Sequence, residues 1–249
     1  MMEFRDQVVM VTGGSRGIGR QIAGAFGAAS ARVVVGSTSA AGAAAGGEAV
    51  RAAGGEALGL VVDVSDRSSV ERFVSAALER WGRIDVLVNN AGVCPQTPFE
   101  EIEPEEWDRV LAVNLRGVFF CMRAVVPTMK KQGRGCIINI SSIAGKVGGL
   151  VVPPHYSASK AGVDCLTKAA ARYLAPHGVR VNALSPANIV TDMTSEWPSE
   201  KREQMEAQCP LKRFGTPPEV AAVVLFLASP QAGYITGEIV DVNGGLLMD

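Results

Sequence analysis

Short apolar runs alternate along the chain with longer amphipathic stretches. Seven of the apolar runs have the length of β-strands and lie at residues 8–11, 32–36, 57–62, 84–89, 136–140, 180–184 and 238–242. Helix-length stretches occupy residues 17–28, 40–53, 68–81, 105–131, 157–175 and 217–227. Nearly continuous apolar strands followed by helices are typical of a parallel sheet covered on both faces. The pattern therefore predicts one doubly wound α/β domain over residues 1–249, with a seven-stranded parallel sheet flanked by helices.

The composition suits such a domain and excludes several functions. The 249 residues are 47% hydrophobic, enough for a sizeable core. The net charge is −1 and the basic residues are scattered, so no nucleic-acid or anionic-membrane surface is predicted. The first residues include Glu3, Arg5 and Asp6, unlike a secretory signal. No stretch of membrane-span length lacks a charge, a proline or a glycine-rich break.

The five cysteines are odd in number and far apart, without the paired spacing of a metal site. They are expected to be reduced thiols of a cytoplasmic protein that uses no metal. A catalytic thiol is disfavoured, since neither His155 nor His177 stands in a recognisable relation to a cysteine.

A glycine-rich segment, Thr12-Gly13-Gly14-Ser15-Arg16-Gly17-Ile18-Gly19, follows the first strand. Its glycines allow a tight turn, and the next helix offers its N-terminal amides to a pyrophosphate. An ordinary β–α turn is the alternative, but the position between the first strand and a helix favours dinucleotide binding. The predicted contacts here are Gly13, Ser15, Arg16, Gly17, Ile18 and Gly19.

The end of the second strand bears on the choice between NADP and NAD. An acidic residue there would bind the ribose 2′-hydroxyl of NAD, but no Asp or Glu occurs between Asp6 and Glu48. Ser37 and Thr38 can donate hydrogen bonds to a 2′-phosphate, and Arg16 can supply a cation. NADP(H) is therefore favoured over NAD(H). The alternative is that Arg16 is a solvated loop residue and that the two hydroxyl residues only form a turn.

Tyr156 and Lys160 stand four residues apart in a predicted helix, so their side chains share one face. A free tyrosine has a pKa of about 10. A fixed cation nearby favours the phenolate and lowers that pKa, which would make the phenol usable for acid–base chemistry. The spacing alone is equally compatible with a solvated helix surface.

Over nearly its whole length the chain resembles the short-chain dehydrogenase/reductase family. The resemblance is carried in order by the glycine loop, Asp63-Val64, Asn89-Asn90-Ala91-Gly92, Asn114, Ser141-Ser142, and Tyr156 with Lys160. It implies a Rossmann-type fold and a proton transfer between Tyr156 and a substrate oxygen. It further implies that Lys160 lowers the tyrosine pKa and holds the nicotinamide ribose. Ser142 would hydrogen-bond the reacting oxygen, and Asn114 would organise a water that links Lys160 to solvent.

The same resemblance implies further cofactor contacts at the ends of the third and fourth strands. Asp63 and Val64 would meet the adenine, the first through its carboxylate and the second through its backbone amide. Asn90, Ala91 and Gly92 would line the ribose and diphosphate. For Asn90, bracing of the central sheet is an equal alternative.

After the sixth strand the resemblance implies nicotinamide contacts by Pro186, Ile189 and Thr191. The family usually has a glycine after this proline, whereas this chain has Ala187. If the position required a positive φ, alanine would be strained there.

Within the family the chain resembles the β-ketoacyl-[acyl-carrier-protein] reductases, in Gly36-Ser37-Thr38, Pro210-Leu211-Lys212-Arg213-Phe214-Gly215, Tyr234-Ile235-Thr236-Gly237 and Val242-Asn243-Gly244-Gly245. Many relatives with other ketone substrates share these segments. Those reductases present arginines to the acidic carrier protein. The corresponding neighbourhoods here are Gln132-Gly133-Arg134, where Arg134 could serve, and Pro176-His177-Gly178, which has no arginine. An acyl carrier protein is therefore an open alternative as partner and not the expectation.

A lid is expected at about residues 191–210, where Met193, Trp197 and Met205 could cover a hydrophobic substrate. A surface helix that packs its apolar face is the alternative. The segments 93–96 and 147–154 should line the pocket and carry no charge that would announce an anionic substrate.

The predicted function is NADPH-dependent reduction of a ketone to a secondary alcohol, with a 3-oxoacyl thioester or related carbonyl as first candidate. The alternatives are oxidation of a secondary alcohol in a polyol, sugar acid or steroid, and a non-catalytic dinucleotide-binding protein. The joint presence of Asn114, Ser142, Tyr156 and Lys160 argues against the last. The resemblance also implies a homotetramer built partly from the helices at 105–131 and 157–175.

Overall fold

Seven parallel strands form one sheet in the order β3-β2-β1-β4-β5-β6-β7 in the computed structural model, which describes residues 2–149, 152–191 and 199–248. The strands are β1 (Val8–Thr12), β2 (Arg32–Ser37), β3 (Glu56–Val61), β4 (Val86–Asn89), β5 (Gly135–Ile140), β6 (Val179–Pro186) and β7 (Ile239–Val242). The chain order reverses between β1 and β4, which is where ligands bind in open sheets of this kind. The predicted doubly wound α/β fold is confirmed.

The helices of the described chain cover both faces of the sheet. They are α1 (Gly17–Ala28), α2 (Ala40–Ala52), α3 (Arg67–Trp81), α4 (Pro104–Leu111), α5 (Gly117–Gln132), α6 (Ala144–Val147), α7 (Pro154–Leu174), α8 (Ser199–Gln208) and α9 (Pro217–Ala228). Predicted bounds agree with these to within three residues, except for the stretch 105–131. Short 3₁₀ turns at Phe99–Glu101, Ala175–His177 and Pro230–Ala232 complete the connections.

Alternate strand residues supply two hydrophobic cores, one on each face. In β1, Val9 and Val11 pack with side chains of α1 and α9, whereas Val8 and Met10 pack with those of α3, α5 and α7. All four side chains are fully buried. Strands that bury both of their faces are mostly apolar, which is why residues 8–11 read as a continuous apolar run.

The predicted helix 105–131 consists of three pieces. Between α4 and α5, residues Ala112–Arg116 form a π-helical segment with Asn114 at its centre. Such π-bulges insert an extra residue into an α-helix and are frequent at functional sites. Hydrophobic periodicity does not reveal this break, because apolar residues continue on both sides of it.

The stretch Pro104–Gln132 is also long and apolar enough to cross a membrane, by length and composition alone. In the fold, its side chains Val118, Val125 and Met129 are buried in the core on the α3/α5/α7 face. The apolar character is therefore accounted for by packing against the sheet, as in the core helix of a globular fold.

The expected lid falls only partly within the described residues. Met193 and Trp197 lie outside them, so that part of the expectation is not described. Met205 lies on α8, a mostly polar helix without a fully buried side chain.

Candidate active site

The glycine loop lies at the switch point, between the end of β1 and the segment that follows β4. Gly13 and Gly17 have φ values of +65° and +52°, a region that favours glycine. A β-carbon on Gly13 would lie 2.8 Å from Cα of Ala91, and one on Gly19 would overlap the Asn90 amide and the Gly13 carbonyl oxygen. The backbone thus forms a close cradle ahead of α1, of the kind that receives a pyrophosphate.

Asn90 braces this cradle. Its Nδ2 donates to the carbonyl oxygens of Thr12 at 3.1 Å and Gly13 at 3.0 Å. Thr12, which sequence reasoning missed, accepts at Oγ1 from the amides of Asn90 and Ala91, both at 3.1 Å. Of the two roles left open for Asn90, these contacts favour bracing, and they join the last residue of β1 to the start of the loop. The available signal was a hydroxyl residue immediately before the loop.

Hydroxyl groups gather where the glycine loop meets the start of α2. A β-carbon on Gly42 would crowd the Ser37 hydroxyl and would lie 3.0 Å from both Cβ of Ser15 and Oγ of Ser39. Ser39 caps α2 by accepting from the Gly42 amide at 3.1 Å. The positive end of α2 therefore points toward this cluster, and an anion here would be stabilised. Ser39 is a further contact candidate that sequence reasoning missed.

The two other residues expected at this position, Arg16 and Thr38, are exposed. Arg16 is the last residue before α1, with extended backbone, and its side chain makes no capping bond. Ile18, one residue into the helix, packs partly against the core. The loop thus places an arginine at the surface beside the hydroxyl cluster.

On the adenine side, Asp63 is exposed at the end of β3 and Val64 is buried. The Asp63 carboxylate accepts from the Ser65 amide at 2.9 Å and the Ser65 hydroxyl at 2.6 Å. Val64 packs against the start of α5, because a β-carbon on Gly117 would lie 2.8 Å from its methyl group. The Asp63 carboxylate is thus held in place by Ser65, two residues further along the same turn.

Asn114 clamps the chain that follows β4. The π-helical segment holds its side chain fully buried. Its Oδ1 accepts from the Val93 amide and its Nδ2 donates to the Val93 carbonyl, both at 2.8 Å. Nδ2 also donates to Oγ of Ser159 at 3.1 Å. A β-carbon on Gly92 would lie 3.4 Å from Oδ1 of Asn114 and 3.8 Å from Nζ of Lys160, so the two side chains border one space.

Tyr156, Ser142 and Lys160 meet above the ends of β5 and β6. The Ser142 hydroxyl lies close enough to Tyr156 to affect its pKa, and it accepts from the Ala144 amide at 3.1 Å. Lys160 is buried, donates to the Ile140 carbonyl at 2.7 Å, and places Nζ 5.6 Å from the centre of the Tyr156 ring. The structure thus brings the predicted catalytic side chains Asn114, Ser142, Tyr156 and Lys160 together.

The expectation that Lys160 lowers the pKa of Tyr156 is wrong for the protein without its cofactor, in which that pKa is raised. Burial raises the pKa of Tyr156 to about 12; Cys94 adds to the rise, and the Ser142 hydroxyl opposes it. Burial also lowers the pKa of Lys160 to about 8, opposed by the charge of Asp164. Withdrawal of the phenolate from water is the largest influence on the Tyr156 pKa, and it acts against ionisation.

The lowered pKa of Lys160 predicts an alkaline limit for the reaction. The ammonium is present below about pH 8 and is lost as the pH rises through that value. The pH dependence of kcat/KM for a ketone reports the pKa values of the enzyme form to which the ketone binds. We expect kcat/KM to be constant below pH 8 and to fall above it. In Lys160→Arg, whose side chain stays charged, the fall in kcat/KM should move to higher pH. If the fall stays at the same pH, a group other than Lys160 causes it.

Near the expected nicotinamide position, Pro186 ends β6, and its carbonyl accepts from the Ile143 amide at 3.0 Å. Ile189 is buried against Gly215, and the Thr191 methyl group would lie 3.7 Å from a β-carbon on Gly17. Ala187 is not among the described non-glycine residues with positive φ. The expected strain at Ala187 is therefore absent from this loop.

Three further residues lie beside Tyr156. Cys94 is partly buried and near enough to influence the charges of Tyr156 and Lys160. Burial raises its own pKa to about 11, so it is a thiol at neutral pH. His155 and Glu106 form a pair at 2.9 Å. Sequence reasoning could not find this pair, because the residues are far apart in the chain.

A glycine cradle at the switch point of a doubly wound sheet defines a dinucleotide-binding protein. A family model described as enoyl-(acyl carrier protein) reductase matches residues 13–247. With the relatives given next, this match shows that the chain belongs to the short-chain dehydrogenase/reductase family, which confirms the resemblance.

Relatives within the family carry different names. The chain is 43% identical over 251 residues to L-rhamnose 1-dehydrogenase (NAD(P)(+)) of Azotobacter vinelandii, covering 98% of each chain. It is 43% identical over 242 residues to the 3-oxoacyl-[acyl-carrier-protein] reductase of Staphylococcus aureus strain Mu50, covering 96% of this chain and 97% of the relative. A crystal structure of levodione reductase superposes with a TM-score of 0.93 at 38% identity and covers 98% of each chain. The chain is an NAD(P)-dependent oxidoreductase with a small-molecule substrate.

Proposed function

We propose that the protein reduces a ketone to a secondary alcohol with NADPH, the first candidate being a 3-oxoacyl thioester or a related carbonyl compound. The observation that carries the proposal is the meeting of Tyr156 and Ser142 beside the buried Lys160, whose Nζ lies 5.6 Å from the centre of the Tyr156 ring. At neutral pH a phenol with a raised pKa is protonated, the state from which it can donate. The name of the S. aureus relative supports the choice of substrate class.

The residues divide the work of the reaction. NADPH supplies the hydride when bound. It is held by the loop Gly13–Gly19 and by Asp63, Val64, Ala91, Gly92, Pro186, Ile189 and Thr191. Ser142 hydrogen-bonds the carbonyl oxygen, and Tyr156 gives its proton to that oxygen as negative charge develops there. Lys160 holds the nicotinamide ribose. A water in the space between Asn114 and Lys160 would contact both side chains and return a proton toward Tyr156.

The direction and substrate are tested with purified enzyme and a panel of carbonyl and alcohol compounds. Absorbance of the reduced nicotinamide reports turnover of 3-oxoacyl thioesters and simple ketoesters with NADPH. The same assay in the opposite direction offers sugars and polyols with NAD and NADP. Turnover of sugars with no turnover of any ketone would overturn the proposal in favour of sugar oxidation. The second candidate is favoured by the named activity of the A. vinelandii relative.

Preference for NADPH is proposed from the end of β2, where hydroxyl groups gather and no carboxylate follows the strand, and from Arg16 in the neighbouring glycine loop. We expect Arg16→Ala to raise KM for NADPH by about 10- to 100-fold, the loss of one charge-assisted hydrogen bond. The KM for NADH should stay unchanged. Arg20→Ala, an exposed arginine one turn further along α1, is the matched control. Equal losses for both dinucleotides would contradict the assignment of Arg16 to the phosphate.

A homotetramer is proposed from the outer face of α4, α5 and α7. Trp107, Phe119 and Tyr173 are exposed on these helices. A groove of about 550 Å³ runs between them and is lined by Asp108, Leu111, Ala112, Leu115, Arg116, Phe119 and Leu166. Apolar side chains in such a patch are typical of a contact between subunits. We further propose that one domain carries both the cofactor and substrate sites and that the enzyme is cytoplasmic.

A further inference from the structure

Three polar side chains beside Tyr156 are connected to one another and take no part in the reaction as proposed. Oγ1 of Thr97 donates to Oε2 of Glu106 at 3.0 Å. Oε1 of the same carboxylate lies 2.9 Å from Nε2 of His155. The three residues come from different parts of the fold: the segment after β4, the first turn of α4 and the first turn of α7. They therefore tie the start of the tyrosine helix to the substrate side of the site.

His155 is fully buried, so both of its ring nitrogens need partners. Its Nδ1 accepts from the amide of Tyr156 at 2.9 Å. This amide lies in the first turn of α7, where backbone N–H groups have no partner within the helix, and Pro153 provides no side-chain cap. Because Nδ1 accepts, the ring proton lies on Nε2 and is donated to Glu106. These two hydrogen bonds are compatible only with the neutral His155 tautomer that carries its proton on Nε2.

Both oxygens of Glu106 are occupied. The hydrogen bond from Thr97, followed by that from His155, holds the pKa of the Glu106 carboxyl below its usual range. The Trp107 ring stacks on His155 with ring centres 6.2 Å apart and an angle of 29°. The indole therefore covers the imidazole from the outer side and limits its rotation.

The segment from Val93 to Thr97 is hydrogen-bonded at both ends to side chains that belong to the catalytic site or contact it. At Val93 the clamp is Asn114, and at Thr97 it is Glu106. Between the two lies Cys94, a partly buried residue close to Tyr156. Movement of this segment would therefore pull on the tyrosine turn through Glu106 and His155.

We propose that Glu106 and His155 are positioning residues, which set the Tyr156 hydroxyl relative to the substrate-side segment 93–97 and transmit the seating of substrate to it. The inference rests on the proposed role of Tyr156 as proton donor. It assigns no chemistry to the imidazole. Small displacements of a catalytic group are costly, since a shift of about 1 Å can reduce the rate about 100-fold.

Substitutions at Glu106 test the proposal by separating kcat from binding. In Glu106→Leu, both hydrogen bonds are lost, and kcat should fall about 10- to 100-fold while the dissociation constant of NADPH is unchanged. In Glu106→Gln, the amide can accept from His155 and donate to Thr97, and turnover should return to within about threefold of wild type. Glu105→Leu, an exposed neighbour in the same turn, is the matched control.

Nitrogen NMR of His155 gives a readout that does not depend on turnover. The chain has two histidines, so His177→Gln leaves His155 as the sole signal. We expect an unprotonated Nδ1 and a protonated Nε2 whose hydrogen exchanges slowly with water, and fast exchange once Glu106→Leu is added. Protonation at Nδ1 would overturn the capping role.

Two further outcomes would also overturn the proposal. One is a parallel loss of NADPH binding and thermal stability with kcat in Glu106→Leu, which indicates only a structural brace. The other is unchanged kcat in that variant. If the wild-type enzyme reduces no ketone, the proposed function fails, but the NMR result still decides the arrangement of His155. The same kcat comparison can then be made with any alcohol that the enzyme oxidises.

Discussion

Tyr156→Phe is expected to lower turnover by about 10²–10⁴-fold, the range over which a positioned proton donor contributes. Phenylalanine keeps the ring and its packing but removes the hydroxyl that lies beside Ser142. Since the predicted dinucleotide contacts are spread from Gly13 to Thr191, binding of NADPH should change by less than about threefold. Single-turnover absorbance of the reduced nicotinamide measures the first quantity, and fluorescence titration measures the second.

The matched control for this substitution is Tyr173→Phe. Tyr173 lies on the same helix but is 66% exposed, with its hydroxyl bonded to Nζ of Lys130. Its loss should leave turnover unchanged. If Tyr156→Phe kept wild-type turnover, proton donation would have to come from another group, and the mechanism above would be wrong.

Gly19→Ala is expected to have the second largest effect. A β-carbon at this position overlaps Nδ2 of Asn90 and the carbonyl oxygen of Gly13, so the glycine loop must open to accept it. We expect NADPH affinity to fall at least about tenfold and stability by about 1–3 kcal/mol, the usual cost of forcing extra volume into a packed site. Titration with NADPH and denaturant unfolding measure the two effects.

Gly24→Ala separates the loop effect from the general effect of adding a methyl group to α1. The nearest atom to a β-carbon on Gly24, apart from its own helix, is the Ala49 carbonyl oxygen at 3.8 Å. This substitution should therefore stabilise the protein by up to about 1 kcal/mol through helix propensity. Wild-type NADPH affinity in Gly19→Ala would show that the cradle does not carry the pyrophosphate.

The sheet could be predicted because most of its strands follow a simple local rule. In β1, which is buried on both faces, Val8 to Val11 form a continuous apolar run. The glycine loop was also recognisable, since its conformation at Gly13 and Gly17 needs residues without a β-carbon. In both cases the constraint acts on neighbouring residues of the chain, where a sequence pattern can express it.

The remaining features depend on contacts between distant residues. The bond between Glu106 and His155 joins positions 49 residues apart, and no periodicity marks it. The pKa of Tyr156 follows from how deeply the fold places it, whereas the spacing to Lys160 indicated only a favourable charge. Proximity of a cation was visible in the sequence, but the desolvation that opposes it was not.

The π-helical segment at Ala112–Arg116 changes the angular relation between the side chains of α4 and those of α5. Each residue of an α-helix turns the chain by about 100°. One inserted residue therefore rotates the side chains of α4 about the helix axis by that angle relative to those of α5. The stretch Pro104–Gln132 can thereby aim Glu106 at the tyrosine turn and Val118 at the core. Deleting a single residue between 112 and 116 would realign the two halves and turn the carboxylate of Glu106 away from His155.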